Sequence, residues 1–312
     1  MTHVILACMR DEALFVVEWL AHHLALGFDS ITVFTNDCSD GTDAILQRVA
    51  DHAPVFWHDN PGPYEEAGSI QKTALRHGFG LPHIQAADWA MHIDADEYLN
   101  IFCGDRSISA LTSLYPAAEA IGVQWRHFGK GGVDQWNGGS VLDQFTWAEA
   151  DPATPDNGRL VNFKTIFRPQ RFLTMGVHTP KFPVTGQPPV VVNTAGLPLP
   201  SDALMQERGS GYAATTLQCT WANACLHHHH VKSDDLHRLK HARGDANGRN
   251  NRKRRIGSGF YRQVDLNDVQ DTSISHYRAE REIWEDRLRR IPGLIALEDV
   301  ALSMFRTRFQ NS

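Results

Sequence analysis

The chain has 312 residues, 42% hydrophobic and 21% charged, with a formal net charge of −6. That composition is ordinary for a folded protein, long enough for one large or two moderate domains. The acidic balance excludes the broad basic field that a nucleic-acid partner would need.

Five cysteines, an odd number with no Cys-x-x-Cys, fit neither a disulfide framework nor a zinc ribbon. They suit a reducing, cytoplasmic setting. There is no cationic start followed by a long apolar stretch, and no run of about 18 apolar residues, so neither a signal peptide nor a membrane span is expected. Contact with a membrane surface stays open.

Residues 3–8 (His-Val-Ile-Leu-Ala-Cys) read as a buried strand, followed at once by Arg10-Asp11-Glu12. The spacing of Phe15, Trp19, Leu20 and His23 predicts a helix over about 13–26, with Gly27 as its C′ residue. Residues 31–35 form a second strand and open into the turn and capping residues 36–42. There Asp40 or Thr42 is placed to cap a helix over 44–50. A third strand at 55–57 and a helix over about 64–77 follow.

The fourth strand begins at Trp89 and runs into Ile93-Asp94-Ala95-Asp96-Glu97. If the strand continues through them, Asp94 and Asp96 share one face, because strand side chains alternate. Two carboxylates that close repel unless a cation sits between them or one is protonated. Their hard oxygens suit Mg²⁺ or Mn²⁺ with a substrate phosphate. A solvated loop after a strand is the plainer reading.

Strands alternating with helices imply an α/β fold with a mostly parallel sheet, whose ligands bind beyond the carboxyl ends of the strands. Three polar clusters, at 10–12, 36–42 and 94–97, would meet at that edge. No Gly-x-Gly-x-x-Gly and no P-loop pattern occurs.

These pieces, in this order, resemble glycosyltransferase family 2, of the GT-A fold, and within it the group related to family 92. The resemblance is carried by Arg10-Asp11-Glu12-Ala13, Glu18-Trp19-Leu20-Ala21-His22-His23, Gly27-Phe28-Asp29, the 36–42 run and Ile93 to Leu99. It continues in Trp125-Arg126-His127-Phe128-Gly129, Phe163-Lys164-Thr165-Ile166-Phe167-Arg168-Pro169, and His228 with Lys232-Ser233. It implies a nucleotide-sugar donor, a glycan or lipid-linked acceptor, a Mn²⁺ or Mg²⁺ ion and transfer with inversion. It also implies that Asp94 faces the ribose, that Asp94 and Asp96 bind metal, and that Asn36 lies against the base with Asp11 beside it. Arg10, Glu12, Asp40, Lys72 and His178 complete the donor-binding set expected here. The domain division expected is a GT-A unit over 1–240, with nucleotide-binding residues to about 125 and acceptor residues after them. A basic loop and helices over 241–312 follow.

An inverting transfer needs a carboxylate to take the acceptor's proton. Asp134, Asp143 and Glu149 are available, with Asp143 and Asp134 put forward, though for any one of the three an exposed charge is the plainer reading. Asp143 follows Val141-Leu142, which read as a strand leading to the cleft. Trp125, Trp136 and Trp147 are core or loop anchors before they are sugar platforms. Residues 183–200, rich in proline, read as an extended surface loop.

His227-His228-His229-His230 is an internal tetrad. On a strand His228 and His230 share one face and His227 and His229 the other. The family pattern, anchored on Lys232, selects His228 as metal ligand. Over residues 227–262 ten Lys/Arg stand against three Asp, densest at Arg249 and 252–255. That segment reads as a lid over a diphosphate, as a nucleic-acid or localisation patch, or as a solvated loop. Two amphipathic helices, split at Pro292-Gly293, close the chain. Rival functions are a nucleotidyl- or phosphotransferase using the same carboxylates, and a nucleotide- or sugar-binding protein without turnover.

Overall fold

The structure is a computed structural model that describes residues 1–60, 69–207, 211–243 and 255–310. Its centre is a nine-stranded mixed sheet. The strands are β1 (His3–Met9), β2 (Ser30–Thr35), β3 (Val55–Asp59), β4 (Trp89–His92), β5 (Glu97–Ile101), β6 (Ala120–His127), β7 (Phe163–Phe167), β8 (Val191–Asn193) and β9 (Ala224–His228). Their order is β3-β2-β1-β4-β7-β6-β9-β5, with β8 also on β6.

The first four strands pair in parallel. Then β7 inserts antiparallel between β4 and β6. Strand β6 divides one of its edges, pairing β8 at Ala120–Gly122 and β9 at Trp125–His127, both in parallel. The carboxyl ends of β1, β2, β4, β6 and β9 therefore reach the same side of the sheet. This is the α/β arrangement with a mostly parallel sheet that the sequence leads one to expect, with helices added at the C-terminal end.

Alternation along β1 explains why that strand is central. Ile5, Ala7 and Met9 enter one core layer, and Val4 and Leu6 enter the other. The first layer is covered by α1 (Val16–Ala25) and α2 (Thr42–Ala50), the second by α3 (Ile70–Phe79). Helix α1 ends in a Schellman turn: Gly27 has φ +89°, its N–H donates to the Leu24 carbonyl, and the Phe28 N–H donates to that of His23. Ser69 caps α3, accepting the Lys72 N–H at 3.2 Å. Residues 61–68, where the earlier part of that helix was expected, lie outside the described ones.

Three expectations change. Strand β4 ends at His92, and Asp94 and Asp96 sit in the turn before β5, closed by the Glu97 N–H donating to the Asp94 carbonyl at 3.1 Å. Val141–Gln144 is a short helix, α4, capped by Ser140, and not a strand. The 183–200 stretch is not all surface loop, because its residues 191–193 form β8. Short apolar pairs carry too little periodicity to separate helix from strand.

Helix α5 (Asp234–Arg243) follows the histidine tetrad, and α6 (Arg278–Arg289) and α7 (Leu294–Gln310) close the chain. Helix α6 lies against α1. Buried Arg281 of α6 pairs there with buried Glu18 of α1 at 3.5 Å. All five cysteines are free. Among the described residues no helix is long and apolar enough to cross a membrane.

Candidate functional site

The loops after β1 and β2 are fastened to each other. The Glu12 N–H donates to Thr42 Oγ1 at 2.7 Å, and the Ala13 N–H to Asp40 Oδ2 at 2.8 Å. The Thr42 N–H donates to Asp40 Oδ1 at 3.0 Å, and the Ser39 N–H to Asp11 Oδ1 at 2.7 Å. Asp40 thus serves the start of α2, although Gly41 holds the cap position itself. Burial pushes its carboxyl up, against those donors. Asp11 adopts φ +52°, a backbone region that the two-loop contact has to hold. Asn36 is buried, and its amide reaches Asp37 at 3.1 Å. Arg10 lies 3.8 Å from Asp11. Lys72 is exposed on α3.

Beside these loops the β4–β5 turn carries two carboxylates with separate surroundings. The Trp19 indole N–H donates to the carbonyls of Asp94 at 3.1 Å and Glu97 at 3.0 Å, pinning the turn to α1. Asp94 Oδ2 accepts from Lys164 Nζ at 2.8 Å. Asp94 Oδ1 accepts from Gln71 at 2.7 Å and lies 3.1 Å from His92 Nε2. Burial opposes ionisation of Asp94, but Lys164 and then His92 hold its carboxyl well below the usual range. Glu97 accepts the Asp94 N–H at 2.8 Å and lies 3.6 Å from Lys164. Burial, against Lys164 and with the neighbouring aspartates, pushes Glu97 well above its ordinary value. One lysine therefore serves two carboxyl groups whose surroundings push them in opposite directions, Asp94 down and Glu97 up.

Asp96 faces the other way, toward the end of β9. Its Oδ2 lies 3.4 Å from His228 Nε2 and 3.9 Å from His230 Nδ1. One ligand atom from each of these buried residues falls within 4.8 Å of the others. The His229 N–H donates to the Asp96 carbonyl at 2.9 Å, which fixes the turn against the tetrad. Burial again opposes ionisation, and Lys240 and then His228 reverse it, so Asp96 sits well below the usual carboxylate range. The ring of Trp125 packs 4.3 Å from that of His228. His227 and His229 take the opposite side, both against Phe128, with ring centroids at 4.3 and 4.6 Å. Alternation thus carries through the tetrad as the sequence predicted.

A carboxylate oxygen with two imidazole nitrogens fits Mn²⁺ or another first-row divalent ion better than Mg²⁺. His228 Nδ1 is buried with no hydrogen-bond partner, so the ring's other nitrogen is left to define its role. Asp94 is not part of this group; Lys164, Gln71 and His92 occupy its oxygens.

Neither preferred base touches the group. Asp143, on α4, has one oxygen 2.7 Å from Arg278 and the other 3.2 Å from Arg281. Asp134 is exposed and pairs with Lys130 at 2.6 Å, which also holds Asp234 of α5 at 2.9 Å. Glu149 is fully buried, accepts the His127 N–H at 2.8 Å, and is pushed by burial up to about 7. His178 is tied through Nδ1 to the Phe163 carbonyl at 2.9 Å, and burial lowers it to about 3. Its ring lies 5.4 Å from Trp125. Trp136 is a loop anchor between Phe15 at 5.3 Å and Phe305 at 5.5 Å. Trp147 is exposed. Of the basic run, residues 249–254 lie outside the described ones, and Arg255 is exposed.

Three residues of the site had no role assigned from the sequence. His230 had a signal, its shared face with His228. Lys164 had one too, as a charge inside the apolar run of β7. Lys240 had none beyond its charge.

No protein-family model and no curated protein matches the chain. Similar solved structures include S. aureus TarS 1-349 in complex with UDP, at 13% identity and TM-score 0.34 over 54% of this chain and 47% of that one. Another is HddC from Yersinia pseudotuberculosis, at 8% and 0.33 over 55% and 78%. A third is the mannosyltransferase Ktr4p from S. cerevisiae, at 10% and 0.28 over 42% and 40%. The chain thus spans about half the length of the first of these. At such identities and scores the likeness carries no argument about activity.

Proposed function

We propose that the chain is a metal-dependent glycosyltransferase of GT-A type, moving a sugar with inversion from a nucleotide-sugar donor to a glycan or lipid-linked acceptor. The observation that carries this reading is the meeting of Asp96, His228 and His230 on the sheet edge that also gathers the 10–12 and 36–42 loops. Asp96, His228 and His230 would hold a divalent cation, which would supply charge neutralisation for the departing diphosphate.

The chain's own residues divide the remaining work. Asn36 and Asp11, on the two interlocked loops, take the nucleotide base, with Arg10, Glu12 and Asp40 framing the same pocket. Asp94 addresses the ribose, oriented by Lys164 and Gln71. His178 and Lys72 stay assigned to the donor. Of the two preferred bases, Asp134 is the better suited. It is exposed with one lysine contact, whereas a proton arriving at Asp143 would disturb two guanidinium pairs. Trp125, packed on His228, would border the sugar.

The test is to incubate the full chain with Mn²⁺ and a panel of nucleotide sugars. Release of free nucleoside diphosphate supports glycosyl transfer. Pyrophosphate instead would identify a nucleotidyltransferase. Binding of nucleotide sugars with neither product would identify a binding protein.

A further inference from the structure

Each aspartate of the β4–β5 turn has a lysine, and the two lysines are held differently. The Lys164 side chain is 0% exposed, and its strand β7 lies between β4 and β6. The Lys240 side chain is 25% exposed and stands on α5. Its ammonium donates to Asp96 Oδ2 and to the His230 carbonyl, the latter at 3.3 Å. Lys240 is therefore in contact with two of the three residues that can hold a metal.

The charges do not allow both cations. A ligating imidazole is neutral, so His228 and His230 add no charge to balance a metal. The Asp96 carboxylate and the Lys240 ammonium already cancel. A divalent ion joining them in a buried site would sit against an ammonium on the same carboxylate oxygen. Like charges at that range repel strongly where water is excluded. Lys240 has a way out. It is partly exposed, its stem is long and flexible, and an ammonium is well hydrated once it reaches water. Lys164 has no such route.

We propose that Lys240 is a resident counter-ion of Asp96 that a divalent cation must displace, so that loading the site turns the Lys240 ammonium outward. This rests on the metal assignment of the preceding section and adds a competitor to it. Apo protein keeps a closed, neutral Asp96 pair. Metal binding exchanges that pair for a coordinated ion and moves a positive charge to the rim of the cleft.

The experiment is a Mn²⁺ titration of full-length wild type, Lys240→Gln and Lys240→Arg, followed by electron paramagnetic resonance. It is paired with amine acylation of the wild type with and without Mn²⁺, read at Lys240 by mass spectrometry. Displacement requires Lys240→Gln to bind Mn²⁺ at least about tenfold more tightly than wild type, the scale of one neighbouring charge. Lys240→Arg, which keeps the charge, should show no such gain. Acylation of Lys240 should rise when Mn²⁺ is added. A folded Lys240→Gln protein with unchanged or weaker affinity overturns displacement while leaving the metal site standing. Tighter binding without increased labelling also overturns it, since the charges then merely repel in place. No Mn²⁺ binding by wild type or Lys240→Gln overturns the metal assignment and this inference together. If Lys240→Gln does not fold, the labelling of wild type decides.

Discussion

Asp94 and Asp96 are two residues apart in one turn, the first 28% exposed and the second 10%, and both are held ionised by a lysine. Their surroundings nevertheless make them different devices. Asp94 is locked by Lys164 from a central strand, by Gln71 and by His92. Asp96 meets Lys240, 25% exposed on α5, and two histidines whose ligand atoms lie, with its own, within 4.8 Å of one another. A carboxylate whose counter-ion is built into the core shapes the site; one whose counter-ion reaches solvent can exchange it. Burial of the carboxylates alone would mislead, since the locked Asp94 is the more exposed of the two.

The largest expected effect breaks the fixed half. Lys164→Met leaves ionised, partly exposed Asp94 and fully buried Glu97 without their shared cation, and should cost about 3–5 kcal/mol in urea unfolding. Adding Asp94→Asn should recover part of that loss. An unchanged denaturation midpoint in the single variant would erase the distinction between the two halves.

Next comes the exchangeable half. Asp96→Ala should lose Mn²⁺ binding outright and cost less than about 2 kcal/mol of stability, because Lys240 can turn to water. Calorimetric Mn²⁺ titration alongside urea unfolding checks both. Mn²⁺-dependent turnover at a near wild-type rate would remove Asp96 from the metal site.

A smaller effect sharpens the comparison within the tetrad. His228→Ala and His230→Ala should each raise the Mn²⁺ requirement by roughly tenfold or more, on the scale of losing one charge-stabilising group. His227→Ala and His229→Ala should keep near wild-type metal affinity, since their rings pack on Phe128. Equal losses at all four positions would make the tetrad structural.

The smallest effect concerns a carboxylate with a poorer partner. Glu149 is raised from 4.5 to about 7 by burial, with Arg159 only 3.4 Å away to oppose it. Its folded pKa exceeds its unfolded one, so between these values the native state holds the extra proton. Its contribution to stability is full at pH below 4.5 and is lost as pH rises through about 7. Glu149→Gln should flatten that decline by about 1–3 kcal/mol, visible in thermal midpoints between pH 5 and 8. A wild-type stability that rises across this window, with no difference in the variant, would show that Glu149 is ionised and well paired.

Much of the framework was legible without coordinates. The apolar run of β1, the capping residues at 36–42 and the glycine after α1 all act through neighbours close in sequence, so their spacing is enough. The same holds for the tetrad, where period-two alternation separates His228 and His230 from His227 and His229. Local signals failed where the pattern was short, as at Val141-Leu142, or where a distant group intervened, as when Trp19 pins residues 94–97 into a turn. Tertiary structure alone decided the counter-ions. Lys164 lies 70 residues from Asp94, and Lys240 lies 144 from Asp96. No periodicity links such positions, because a charge pair depends on where two elements dock. The sequence by itself set which carboxylates lie at the sheet edge. The docking of β7 and α5 decided which of them is fixed and which is free to exchange its cation.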